Sequence, residues 1–161
     1  MASSQGISPR LQKRDQLPFF SRRAQISIWL VTVPELRYYS LVRIFKNTWF
    51  AWFASKEGIT DGELKEAVNQ LDVGQADADL GGDVYKMRIA RSGEGKSGGY
   101  RVIVFFKSEE RTFFQYAFSK ADRGNIDQQE LQYYKRMAKM KLAMPDGELA
   151  NALNAGELIE I

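Results

Sequence analysis

Hydrophobic spacing changes character along the chain, and each change predicts an element. From Val42 the pattern is short and dense. Arg43–Asn47 reads as an edge strand, and Thr48–Ser55 (TWFAWFAS) sets Trp49, Phe50, Phe53 and Ala54 on one helical stripe that Gly58 ends. Thr60 followed by Glu63 is a capping box, and Leu64, Ala67, Val68 and Leu71 then describe an amphipathic helix stopped by Gly74. The aromatic stripe and these apolar residues are read as core. From Val84 the period drops to two: Tyr85, Met87 and Ile89 point one way, Lys86 and Arg88 the other. Tyr100–Phe106 is a second strand, apolar except for Arg101, and a turn of hairpin length leads to a third, Thr112–Phe118. Asp127 opens a helix with a stripe of Leu131, Tyr134 and Met137 or Ala138; Pro145 ends it, and Asp146–Leu153 adds a short helix. Strand, two helices, antiparallel meander and helices again make an α+β domain over residues 42–161, its sheet half-covered by helices.

The first forty-one residues follow no such pattern. They are Ser-, Gln- and Arg-rich as far as Arg23, with Pro9 and Pro18. The apolar run Ala24–Val33 is ten residues long, half of the ~20 a membrane-spanning helix needs. Its long basic leader and lack of a small-x-small site also argue against export, so a cytoplasmic protein without membrane contact is expected. The segment reads as a poorly ordered extension, or as the product of a start assigned upstream of Val42.

Composition narrows the chemistry sharply. Among 161 residues there is no cysteine and no histidine. That excludes disulfides, the usual zinc ligand sets, Ser–His and Cys–His nucleophile pairs and imidazole acid–base catalysis. No metal or cofactor is expected, and any catalysis falls to Lys, Arg, Tyr, Asp or Glu. The net charge of +3 hides strong segregation. Residues 57–83 carry one base against eight acids, whereas 84–123 carry nine bases against four acids, the makings of a basic face for a polyanion.

That basic stretch holds the candidate chemistry. Tyr85–Arg101 contains four glycines, two serines and the cations Lys86, Arg88, Arg91, Lys96 and Arg101. Gly95-Lys96-Ser97 suggests a phosphate loop, but Ala90 stands where the first glycine belongs and a strand follows in place of a helix. A hairpin loop whose cations reach the phosphates of an extended polyanion fits better. Alternating cations on a strand are often only a solvated face. Arg101 argues for more, because a lone charge in an apolar strand is costly without a partner or a site. With Lys120 after the third strand, four cations converge from three strands.

The runs VYKMRIARSGEGKSGGYRVIVFF and FFQYAFSKADRGNI resemble the toxins of RelE/HigB-type toxin–antitoxin pairs, and the spacing K-x-R-x-A-R…G-x-G-K-x-G-G-x-R is similar to the HigB branch. The resemblance covers residues 42–126 well and the C-terminal part loosely. It implies a RelE-like antiparallel sheet packed against N-terminal helices, with C-terminal helices, and an endoribonuclease that cuts mRNA on the ribosome with Lys and Arg where other RNases use imidazole. Lys86 and Arg88 match the family's paired strand cations, and Arg101 the arginine after the G-Y pair. Attack by an RNA 2′-hydroxyl needs a base, cationic stabilisation of the phosphorane and an acid at the leaving oxygen. On that scheme Lys86 is the base, Arg88 and Arg101 are phosphate clamps, and Lys120 is a stabiliser or acid. Arg91, Lys96, Tyr116 and Arg123 are RNA- or ribosome-binding candidates. A lysine base requires neighbours and desolvation that lower its pKa from ~10.4. The implied partners are the ribosome, mRNA and a cognate antitoxin, of the helix-turn-helix, HigA-like kind. Two positions depart from the RelE pattern: Ala121 replaces an arginine and Asp127 a catalytic tyrosine, which brings Lys120 and Tyr116 forward as substitutes. A ParE-like gyrase poison and a non-catalytic nucleic-acid-binding module are the competing readings.

Overall fold

The structure is a computed structural model that describes residues 42–91, 93 and 98–161; the readings made for residues 1–41 and for Lys96 fall outside them. Among the described residues, six strands form one mixed sheet in the order β2-β3-β4-β5-β1-β6. These are β1 (Arg43–Asn47), β2 (Ala78–Asp79), β3 (Val84–Ile89), β4 (Tyr100–Lys107), β5 (Arg111–Phe118) and β6 (Leu158–Glu160). Four helices join them: α1 (Thr48–Glu57), α2 (Asp61–Asp72), α3 (Gln128–Leu142) and α4 (Asp146–Asn154). The protein is α+β, consistent with a RelE-like fold. The capping box at Thr60 and Glu63 forms as read, with Thr60 N–H donating to Glu63 Oε2 at 2.7 Å.

One expectation is corrected: β1 is not at an edge. It runs parallel to β5, with Arg43 opposite Arg111 and Lys46 opposite Phe114, and antiparallel to β6 on its other side. The alternation in Arg43–Asn47 specifies a strand but names no neighbours, and the closing tail Leu158–Glu160 supplies the second one. Arg43 locks this seam through a bidentate pair with Glu160 (Nε to Oε1 2.8 Å, Nη2 to Oε2 2.9 Å), which holds the Glu160 carboxyl below its usual range. Asn47 then ends the strand and starts α1, its Oδ1 accepting the Phe50 N–H at 2.7 Å.

Both faces of the sheet are packed. Ile44, Phe50, Leu64, Met87, Val102, Val104 and Phe114 bury one face under α1 and α2. Phe45, Val84, Ile103, Phe105, Phe113, Phe118, Tyr134 and Leu149 bury the other under α3 and α4. A register shift between Ile103 and Val104 lets β5 pass from one pairing phase to the next. Of the aromatic stripe read as core, Phe50 is fully buried, but Trp49 is 39% exposed because it lies in the first turn of α1 at the end of the sheet. Its ring stacks on Tyr116, with centroids 4.7 Å apart.

Gly99 sets the β3–β4 hairpin. It is buried where the strands converge, and a Cβ there would overlap the Ile89 carbonyl oxygen and lie 3.1 Å from Ala90 Cα. Only glycine permits the approach that pairs Ile89 with Tyr100 and Arg88 with Arg101.

Candidate functional site

Pleating puts Lys86, Arg88 and Arg101 on the sheet face that carries α3. In the ladder Arg88 lies directly opposite Arg101, which lies opposite Phe118; one step along, Lys86 faces Ile103, which faces Tyr116. Three cations from two strands therefore form one patch backed by Phe118 and Tyr116. Arg88 is exposed here, while Lys86 and Arg101 are half-buried.

The three differ in what holds them. Lys86 Nζ donates to Asn125 Oδ1 at 3.4 Å, from the loop between β5 and α3. Arg88 Nε is 3.5 Å from Asp77 Oδ1, an ion pair with the segment preceding β2. Arg101 is the exception. Its Nη1 is buried and has no hydrogen-bond partner among the described residues, and the charge it faces across the ladder is another arginine. Like charges directly opposite on a sheet are destabilising, and an unsatisfied buried donor costs about 1–3 kcal/mol. This arrangement opposes folding locally and concentrates positive charge on one face of the sheet.

The remaining candidates are distributed more widely. Lys120 is exposed in the turn after β5. Arg91, also exposed, has its guanidinium 5.6 Å from the Tyr100 ring centroid, and Tyr100 belongs to the core on the opposite face of the sheet. Tyr116 is half-buried in an aromatic series with Trp49, Phe118 and Tyr134. Arg123 is occupied internally. It makes a bidentate pair with Glu130 (Nη1 to Oε1 2.8 Å), donates Nε to the Asn125 carbonyl at 3.0 Å, and lies 5.4 Å from the Phe118 ring centroid. The Glu130 hydrogen bond raises Arg123 above its ordinary range, and Arg123 and the Asp127 N–H together lower Glu130 to about 2.

Asp127 closes this loop. Its carboxylate caps α3 by accepting the Glu130 N–H at 2.8 Å, while Glu130 accepts the Asp127 N–H at 2.9 Å. The residue that stands where a catalytic tyrosine was expected is a helix cap. Nearby, Tyr134 is pushed up to about 12 by burial, reinforced by the Glu130 charge, so its hydroxyl stays protonated. Sequence spacing missed two contributors, Asp77 and Asn125. Both are polar residues in irregular segments, and only the fold brings them to Arg88 and Lys86.

The α+β sheet thus carries a basic, partly buried patch of Lys86, Arg88 and Arg101 on its α3-bearing face. The family model for the RelE toxin of the RelE/RelB toxin–antitoxin system matches residues 42–161, and the chain belongs to that family. It is therefore the toxin of a toxin–antitoxin system, whose partner is a cognate antitoxin. No curated protein matches the chain. Among the described residues no helix is long and apolar enough to cross a membrane.

Proposed function

We propose that residues 42–161 act as a ribosome-dependent mRNA endoribonuclease that stops translation in the cytoplasm. The observation that carries this reading is Arg101: a half-buried guanidinium with an unpartnered Nη1, facing Arg88, one ladder step from Lys86. Desolvated, rigid donors aimed at developing charge are what phosphoryl chemistry needs from a protein without imidazole.

Lys86 takes the proton of the RNA 2′-hydroxyl as its oxygen attacks phosphorus. Arg101 and Arg88 hold the non-bridging oxygens as negative charge builds on the phosphorane. The P–O5′ bond breaks, leaving a 2′,3′-cyclic phosphate, and Lys120 supplies a proton to the departing O5′. Tyr116 lines the floor of the patch, and Arg91 and Lys96 remain candidates for contacts with the RNA backbone outside it. Arg123, held by Glu130, fixes the loop that presents Lys120 and Asn125. A HigA-like helix-turn-helix antitoxin covers the cations in the neutralised complex.

Primer extension on ribosome-bound mRNA after induced expression tests this reading. Cuts within codons, lost in Arg101→Ala, are expected. Intact mRNA together with inhibited supercoiling would place the chain with gyrase poisons instead.

A further inference from the structure

A second group of cations lies on the α3-bearing face, at the opposite end of the sheet from Arg101. Lys107 ends β4, and Lys135 and Lys139 lie one turn apart on α3; with Gly82, Asp83, Leu142 and Ala143 they line a cavity of about 360 Å³. Asp83 is its single acid. Lys107 is paired with Glu110 (2.7 Å), but no carboxylate lies within ion-pair distance of Lys135 or Lys139 among the described residues. Lys139 sits in the last turn of α3, where a cation favours the helix dipole. Lys135 is mid-helix, and that explanation does not cover it.

The turn before β3 is shaped around Lys135. Gly81 and Gly82 both have positive φ (78° and 63°). A Cβ on Gly81 would come within 3.2 Å of Lys135 Nζ, and one on Gly82 within 3.2 Å of its Cγ. Two consecutive residues without side chains thus leave a channel for the lysine stem, and the half-buried side chain delivers its ammonium to the cavity. Six steps along β4 lead from Arg101 to Lys107, about 20 Å at ~3.3 Å per residue.

We infer that the Lys107–Lys135–Lys139 cavity is a second phosphate-binding site, which holds the backbone of structured RNA while the Arg101 patch engages the strand to be cut. This inference rests on the endoribonuclease reading for its biological setting. The chemistry it requires is two unneutralised ammonium groups at fixed spacing, facing phosphates rather than bases, so the site anchors without reading sequence.

The test measures binding of the full-length chain to ribosomes and to a structured RNA hairpin at about 50–200 mM KCl, where phosphate contacts dominate the salt dependence. Lys135→Gln/Lys139→Gln is compared with wild type, with Lys135→Arg, which keeps the charge, and with Lys56→Gln, an exposed lysine on α1. Loss of two phosphate contacts lowers the slope of log K against log salt by about 2 and weakens binding about tenfold or more at the lower salt end, the two lines converging as salt rises. Lys135→Arg and Lys56→Gln keep the wild-type slope. Cleavage by the double variant shows a raised KM with kcat unchanged at saturating ribosomes. An unchanged slope in a folded double variant overturns the inference. Unchanged RNA binding with lost antitoxin affinity also overturns it and assigns the cavity to an acidic protein segment. If wild type cleaves nothing, the endoribonuclease reading fails alone, and the hairpin slope still decides the cavity.

Discussion

Replacing Arg101 by methionine separates a residue kept for chemistry from one kept for the fold. Methionine preserves most of the stem volume and removes the charge. The lost guanidinium contributes an unpartnered, buried Nη1, a cost of about 1–3 kcal/mol, and a like-charge pairing with Arg88 of about 0.2–1 kcal/mol. Its other nitrogens keep part of their hydration because the residue is only half-buried, so the net gain is placed at about 1–2 kcal/mol. In a domain of this size that is a rise of roughly 4–8 °C in Tm, read by circular dichroism. Cleavage of ribosome-bound mRNA falls by about 10²–10³ in the same variant, the loss typical of removing one preorganised donor to a transition-state oxyanion. Greater stability with lost activity is the signature. A variant that melts lower than wild type shows that Arg101 has a structural partner, and one that still cuts shows that the patch is not the site; either result refutes the reasoning.

Three further outcomes follow from the same geometry. Glu130, lowered to about 2 chiefly by Arg123, contributes stability that is complete above its unfolded value near 4.5 and lost as pH falls through about 2. Because it is about one-third exposed, Glu130→Gln should cost about 1–2 kcal/mol in urea melts at pH 7 and much less at pH 2.5; an equal cost at both would break the link to Arg123. Asp127→Ala should remove about 1 kcal/mol through the lost cap, while Asp127→Asn retains it and both still cleave; loss of cleavage in folded Asp127→Asn would make the carboxylate functional. Gly99→Ala should destabilise by more than about 2 kcal/mol, whereas Gly124→Ala, with nothing within 4 Å, should be nearly neutral, so similar thermal shifts would discount the crowding at Ile89.

The elements with a strong internal period were legible from the chain. The Thr60 capping box, the two-residue alternation around Lys86 and Arg88, and the charge inside Tyr100–Phe106 needed only local spacing, and each lies where that spacing put it. Pairing partners were less accessible. Nothing local in Arg43–Asn47 reveals a parallel neighbour 68 residues on, and three residues at Leu158–Glu160 are too short to carry a period. The same limit governs the site. The cations themselves are visible as a pattern, but the pairing of Arg123 with Glu130 and of Arg88 with Asp77 depends on loops whose paths follow from packing.

The position of β1 between β5 and β6 orders the assembly of the sheet. Lys107 and Arg111 close a four-residue separation, whereas Arg43 and Arg111 close one of 68. Loop-closure entropy makes the second contact about 2.5 kcal/mol harder to initiate, before any stabilisation from packing. The β3–β4–β5 meander can zip from its turns, and it already holds Lys86, Arg88 and Arg101 in register. The seam of β1 with β6 comes last on the way in and opens first on the way out. Amides of Phe45–Asn47 and Leu158–Glu160 therefore exchange with solvent ahead of those in β4. Partial opening at that seam bares the outer edge of β1 and leaves the cationic patch standing, so the part of the molecule most exposed to strand addition is remote in time, as well as in sequence, from the part proposed to bind phosphate.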